Sequence, residues 1–152
     1  PPVRAAANNG PEVFQVLDAG KKPLMAIVIP SSEVEAHCMP TDARDIGTDI
    51  IQQSSIITAD LSFISLRKVL GQIVNLSNIG TTFCVLFKPQ FEVGQKEIAK
   101  NGIVKNTEIV WSTLQSFKHW LENINIGNIK IFKSPILGKE GNQEWLVYGE
   151  RI

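Results

Sequence analysis

A doubly wound α/β fold, with a mostly parallel sheet, helices on both faces and an antiparallel last strand, is what three features of this 152-residue sequence predict. The first is a series of short apolar, β-branched runs at 13–17, 24–29, 55–59, 82–87 and 128–132, with an alternating run at 144–148. The second is a pair of helical stripes between the later runs. Over 66–76, Leu66, Val69, Leu70, Ile73, Val74 and Leu76 recur near helical spacing. Over 108–124, Ile109, Val110, Thr113, Leu114, Phe117, Trp120, Leu121 and Ile124 form one stripe, with Asn106 and Thr107 ahead of it as cap candidates. The third feature is the polar, glycine-bearing turn at 138–143, too short for a parallel crossover, so the strand after it runs antiparallel.

The first two runs break the pattern. Parallel neighbours need a crossover of about a dozen residues or more, usually a helix. Only 18–23 separates these two. Either they pair antiparallel, or they are not both strands, or a helix-bearing stretch is missing between them.

Composition bounds the function. Fifteen Lys and Arg balance fifteen Asp and Glu, which excludes a global positive field, so a nucleic-acid partner has to be argued from a local site. The length and a hydrophobic content of 43% suit one domain over 1–152. Cys38 and Cys84 have no short metal-ligand spacing, and His37 and His119 stand far apart, so free thiols and no metal site are expected. No apolar run approaches the about 18 residues of a membrane span, and residues 1–10 lack the apolar core of a signal peptide. A cytoplasmic protein without a membrane partner is the expectation.

In open α/β sheets functional groups gather where parallel strands end, and here the runs end in charge. The first leaves through Asp18-Ala19-Gly20, where a glycine lets backbone approach a ligand and the acid accepts a hydrogen bond; a plain strand-to-turn exit is the alternative. The third ends in Asp60, followed by Leu61-Ser62-Phe63-Ile64-Ser65, with Ser65 placed to cap the next helix; the bland alternative is that Asp60 only organises this turn. The fourth ends in Lys88-Pro89, a lysine expected to be partly desolvated, for which an ion pair with Asp60 is the structural alternative. If the last strand runs antiparallel, its first residue, Glu144, reaches the same edge. Two carboxylates and an ammonium at one cleft suit the positioning and deprotonation of a poor nucleophile, although spacing alone does not choose a reaction.

These residues stand in ordered motifs: Ala59-Asp60-Leu61-Ser62-Phe63-Ile64-Ser65-Leu66, Lys88-Pro89-Gln90-Phe91-Glu92-Val93-Gly94, Lys100-Asn101-Gly102-Ile103-Val104-Lys105, Ser134-Pro135-Ile136 and Gly141-Asn142-Gln143-Glu144. Together they resemble the TlyA or hemolysin A family of FtsJ-like RNA 2′-O-methyltransferases, from about residue 43 onward. The resemblance implies a Rossmann-like methyltransferase that moves a methyl group from S-adenosylmethionine to a ribose 2′-hydroxyl of ribosomal RNA, with rRNA or a ribosomal subunit as partner. It assigns the family's catalytic aspartate, second lysine and glutamate to Asp60, Lys88 and Glu144. On the cofactor side it assigns Asp18, Gly20, Asp42 and Asp60. The sequence departs from the family in its N-terminal third. The glycine-rich loop after Leu17-Asp18-Ala19-Gly20 is replaced by Lys21-Lys22-Pro23, and Val28 stands where an acid is expected, with Glu33 or Glu35 as substitutes. Arg4 is a weak match for the first catalytic lysine, and no S4 RNA-binding domain is expected in 1–152.

Three functions follow from this reading. One is an RNA 2′-O-methyltransferase domain. Another is a non-catalytic RNA-binding or interaction relative, motivated by the shortened cofactor region. The third, membrane lysis, is raised by the hemolysin name and opposed by the absence of a spanning run or a strongly basic amphipathic helix. Trp111 and Trp120 are expected to pack beside the stripe of 108–124, with Trp145 facing away from Glu144. Lys96, Lys100 and Lys105 read as a solvated loop with phosphate contact as the alternative.

Overall fold

The structure is a computed structural model that describes the backbone of residues 12–16, 24–30 and 43–152, and side chains from 44 onward. Its elements run β1 (Glu12–Val16), β2 (Leu24–Pro30), α1 (Thr48–Gln53), β3 (Ile56–Asp60), α2 (Arg67–Leu76), β4 (Thr82–Phe87), α3 (Pro89–Glu92), α4 (Thr107–Asn123), β5 (Ile126–Leu137) and β6 (Gln143–Arg151). The strands form one six-stranded sheet in the order β1-β2-β3-β4-β6-β5.

The α/β class and the antiparallel last strand are as expected, while the pairing is more mixed than the sequence predicts. Among the described residues only β3 and β4 are parallel neighbours, joined by the crossover helix α2. The first two strands take the antiparallel option, with Val16 opposite Ala26 and Glu12 opposite Pro30, because the seven residues between Val16 and Leu24 suffice for a hairpin and not for a crossover. Strand β2 then pairs antiparallel with β3, Leu24 lying beside Asp60. Strand β6 is antiparallel to both β4 and β5, and it is longer than the alternating run that announced it. Bulges near Gly127 and after Lys133 break the register with β5, where Pro135 cannot donate to the ladder.

Alternation decides which strand faces make the core. Ile57 and Ala59 of β3, Phe83, Val85 and Phe87 of β4, and Val147 of β6 are buried on one face. Helices α1, α2 and α4 bury Ile51, then Val69, Leu70, Ile73 and Val74, then Leu114, Phe117 and Leu121 in that same cluster. The expected second helical layer is not among the described residues. The opposite face carries Thr58, Cys84, Leu86, Leu146 and Tyr148, all partly accessible. Cys84 is a free thiol there, and burial raises its pKa, so it stays protonated at neutral pH. Cys38 lies outside the described residues.

The two long helices touch through aromatic side chains. Phe117 stacks on Trp120 at 5.8 Å and meets Phe87 of the sheet at 5.4 Å, while the guanidinium of Arg67 on α2 sits 5.8 Å from the Trp120 ring and donates to Ser116. Asn106 caps α4, its side-chain oxygen accepting from the backbone N–H groups of Glu108 and Ile109, as the sequence indicates. Of the two tryptophans expected to pack on this helix, Trp120 does so, but Trp111 is 54% exposed.

Helix α2 is capped differently from the expectation. Ser65 does not close the helix start by itself; Glu92, 27 residues later, accepts from the Ser65 hydroxyl at 2.7 Å and from the Leu66 N–H at 2.7 Å. The Ser65 hydroxyl in turn accepts from the Arg67 N–H at 3.3 Å. Desolvation raises the Glu92 pKa, opposed in part by these two hydrogen bonds and by the charge of Arg67. A carboxyl whose folded pKa is raised binds its proton more tightly folded than unfolded. Its contribution to stability is therefore fully present below the ordinary Glu range of about 4.3 and is lost as pH rises through the folded pKa. We expect the stability difference between wild type and Glu92→Gln to shift against the wild type as pH rises across that window. Denaturation midpoints for both proteins at several pH values check this, and parallel curves would refute it.

Candidate active site

The carboxyl ends of the parallel pair β3 and β4 define one sheet edge, and the N-terminal end of β6 meets it. Asp60 is the last residue of β3 and Lys88 follows the last residue of β4. Their side chains form an ion pair, Lys88 Nζ to Asp60 Oδ1 at 2.6 Å, and Lys88 Nζ also lies 3.4 Å from the Ser62 hydroxyl. Exposure is unequal: the lysine side chain is 14% accessible and the aspartate 55%. A largely sheltered ammonium therefore opens to solvent through a half-exposed carboxylate. Both the ion-pair alternative and the catalytic reading fit this contact, because the charge that a reaction needs also needs a partner at rest.

Glu144 reaches the same edge by register. Phe87 pairs with Trp145, so one step further along this antiparallel ladder Lys88 and Glu144 stand at opposed positions, on the sheet face shared with Asp60. Glu144 is 7% exposed. Its carboxylate lies against Gly138 of the turn, where a Cβ would come 2.5 Å from Oε1, so any side chain at 138 would displace it.

The motifs around Glu144 prove to be its scaffold. Asn142, 4% exposed, donates to Gly102 O at 2.9 Å and accepts from Val104 N–H at 3.0 Å, tying the 101–104 loop to the β5–β6 turn. Gln143 donates through Nε2 to Ser134 O at 2.9 Å and to Glu144 O at 2.8 Å. Gly141, at φ 101°, makes the turn possible. These roles were hidden in the sequence, where a polar turn signals its existence but not its long-range partners.

Another residue that sequence reasoning missed is Phe63, quoted in a motif but given no role. It holds φ 65°, a strained value for a bulky side chain, and is 81% exposed with its ring 5.2 Å from that of Phe91. It lies three residues after Asp60 in the loop that supplies Ser62. Asp18, Gly20 and Asp42 lie outside the described residues.

In doubly wound sheets a nucleotide-like cofactor sits outside the carboxyl ends of parallel strands, at the point where their order reverses. Among the described residues the neighbour of β3 on that side is β2, which begins at this edge with Leu24 beside Asp60 instead of ending there. The described residues thus do not fit a cofactor cradle of that kind; they gather one ammonium and two carboxylates at this edge. No group of three or more potential metal ligands occurs among the described residues, and no helix among them is long and apolar enough to cross a membrane.

The sheet thus gathers Asp60, Lys88 and Glu144 at one edge, a set of charges of the kind that can position and polarise a bound hydroxyl. Residues 15–151 match the FtsJ-like methyltransferase family, and the chain belongs to it. The chain is 32% identical over 133 residues to the 23S rRNA (cytidine-2′-O)-methyltransferase TlyA of Campylobacter jejuni, covering 87% of this chain and 51% of that protein. It is 28% identical over 109 residues to the 16S/23S rRNA (cytidine-2′-O)-methyltransferase TlyA of Mycobacterium tuberculosis, covering 71% of this chain and 41% of that one. A solved structure of a candidate hemolysin from Streptococcus thermophilus superposes with a TM-score of 0.70 at 28% identity, covering 80% of this chain and 44% of that chain. The chain spans about half the length or less of the curated relatives it matches.

Proposed function

We propose that this chain carries the acceptor side of an rRNA ribose 2′-O-methyltransferase, with S-adenosylmethionine as methyl donor. The observation that carries the reading is the sheltered Lys88–Asp60 pair at the carboxyl edge of β3 and β4, in a member of a methyltransferase family. The donor, when bound, would supply an activated methyl group; the residues here would act on the hydroxyl that receives it. A ribose 2′-hydroxyl is a weak nucleophile near neutral pH. Lys88 donates to its oxygen and stabilises the negative charge that grows as the proton passes to water at this half-exposed edge. Asp60 holds the ammonium in place from one side, and Glu144, fixed against Gly138, orients the ribose from the other. Positioning of this kind lowers the barrier by proximity and electrostatics without a covalent enzyme intermediate. The partner is ribosomal RNA, alone or within a subunit, and the place of action is the cytoplasm.

The test is methyl transfer itself. Incubation with rRNA and donor carrying a labelled methyl should place label in the RNA, and the label should survive alkaline hydrolysis within a dinucleotide, because a 2′-O-methyl group blocks cleavage of the adjacent phosphodiester. RNA binding without label would sink the catalytic reading. It would favour a second one, a relative that binds RNA without methylating it. The antiparallel β1–β2 hairpin beside β3 speaks for that alternative, since it occupies the sheet position at which a parallel strand would end toward the cofactor.

A further inference from the structure

A cavity of about 400 Å³ lies on the helix side of the same sheet edge, between the start of α4 and the β5–β6 turn. We propose that it seats a nucleobase of the RNA strand flanking the ribose held at Lys88, an inference that rests on the function proposed above. Two indoles line it, Trp111 from α4 and Trp145 from β6, meeting edge to face at 6.2 Å between centroids. Trp111 is 54% exposed and belongs to no core cluster, so its ring is a large apolar surface that packing does not account for. Trp145 Nε1 is a buried donor with no acceptor among the described residues.

The charges around the cavity match a nucleic-acid strand. Lys133 lines it, is exposed, and has no ion-pair partner among the described residues. Lys105, also exposed, falls in the chain between the lining residues Val104 and Thr107. Two acids stand next to lining residues in the chain: Glu108, on the first turn of α4, is exposed to solvent, and Glu144 lies on the opposite sheet face from Trp145. Aromatic faces beside cations are how proteins hold splayed-out bases of single strands, and the volume lies in the range of small-molecule sites.

The cavity also begins where the catalytic cluster ends. Pro89, which lines it, follows Lys88, and Trp145 follows Glu144. Alternation along β6 sends Glu144 to one sheet face and Trp145 to the other, so a strand turning over this edge presents a ribose to one side and a neighbouring base to the other.

A fluorescein-labelled single-stranded RNA of about ten nucleotides, within the usual footprint of stacking platforms, titrated with the full chain and read by anisotropy, tests this. Trp111→Ala should weaken binding about 5- to 100-fold, the loss of one stacked base, and Trp111→Tyr should restore most of it. Lys133→Ala should weaken binding less and flatten its salt dependence. Trp111 is exposed, so thermal unfolding of Trp111→Ala should match the wild type. Intrinsic fluorescence of the wild type should be quenched on RNA binding, and less so in Trp111→Ala. Equal affinity of wild type, Trp111→Ala and Lys133→Ala would overturn the cavity assignment while leaving the methyltransferase proposal standing. A wild-type chain that binds no RNA would overturn both, and the two results are told apart by the wild-type titration alone.

Discussion

Replacing Lys88 by methionine should reduce methyl transfer to rRNA at least about 100-fold, the range expected when a positioned group that aids proton transfer or stabilises transition-state charge is removed. Methionine keeps most of the aliphatic stem that fills a site only 14% accessible, so the loss is aimed at the ammonium and not at packing. The stability effect should be small. Asp60 is 55% exposed and remains hydrated once its partner is gone, which limits the worth of the pair to about 1 kcal/mol or less. Asp60→Asn should cost less activity than Lys88→Met, because the amide still accepts from the ammonium. Initial rates of label incorporation, with urea denaturation as the folding control, separate these effects. If Lys88→Met keeps about a third or more of the wild-type rate, Lys88 does not act on the hydroxyl, and its ion pair with Asp60 is structural only.

Phe117→Ala should have the largest effect on the fold. Its ring is fully buried between Phe87 of the sheet and Trp120, and Trp120 in turn receives Arg67 from α2, so one side chain joins both long helices to β4. Removing a ring of this kind costs about 3–5 kcal/mol through lost transfer energy and the cavity left behind. A domain typically has about 5–15 kcal/mol to lose, so the variant should sit near its unfolding midpoint at physiological temperature. Urea titration gives the measurement. A shift below about 1 kcal/mol would mean that the site collapses around the gap and that α4 is held mainly by its ends.

Glu92 and Phe63 show where sequence reading stops. Glu92 sits in a motif recognisable from sequence, yet its work at the start of α2 depends on a contact 27 residues away, which no local propensity encodes. The exposure of Phe63 follows from a positive φ in a loop without glycine at that position, a conformation that its residue type argues against. Trp111 is a third instance. Helical spacing put it beside the apolar stripe, and only the end of β6 determines that it borders a cavity and not the core.

By itself the sequence determined the main alternation of strands and helices over residues 55–148, though not α1 or α3, together with the Asn106 cap, the antiparallel return of β6, and the arrival of Asp60, Lys88 and Glu144 at one edge. Each of these follows from short-range rules: burial period, capping chemistry, and the length of chain between strands. It also located the anomaly between the first two strands, while leaving three ways to resolve it. The tertiary structure decided among them, placing an antiparallel hairpin against β3, because backbone pairing along a sheet edge is a long-range choice that the run of residues does not fix. It decided as well the 2.6 Å contact that shelters the Lys88 charge and the side on which Trp145 leaves Glu144.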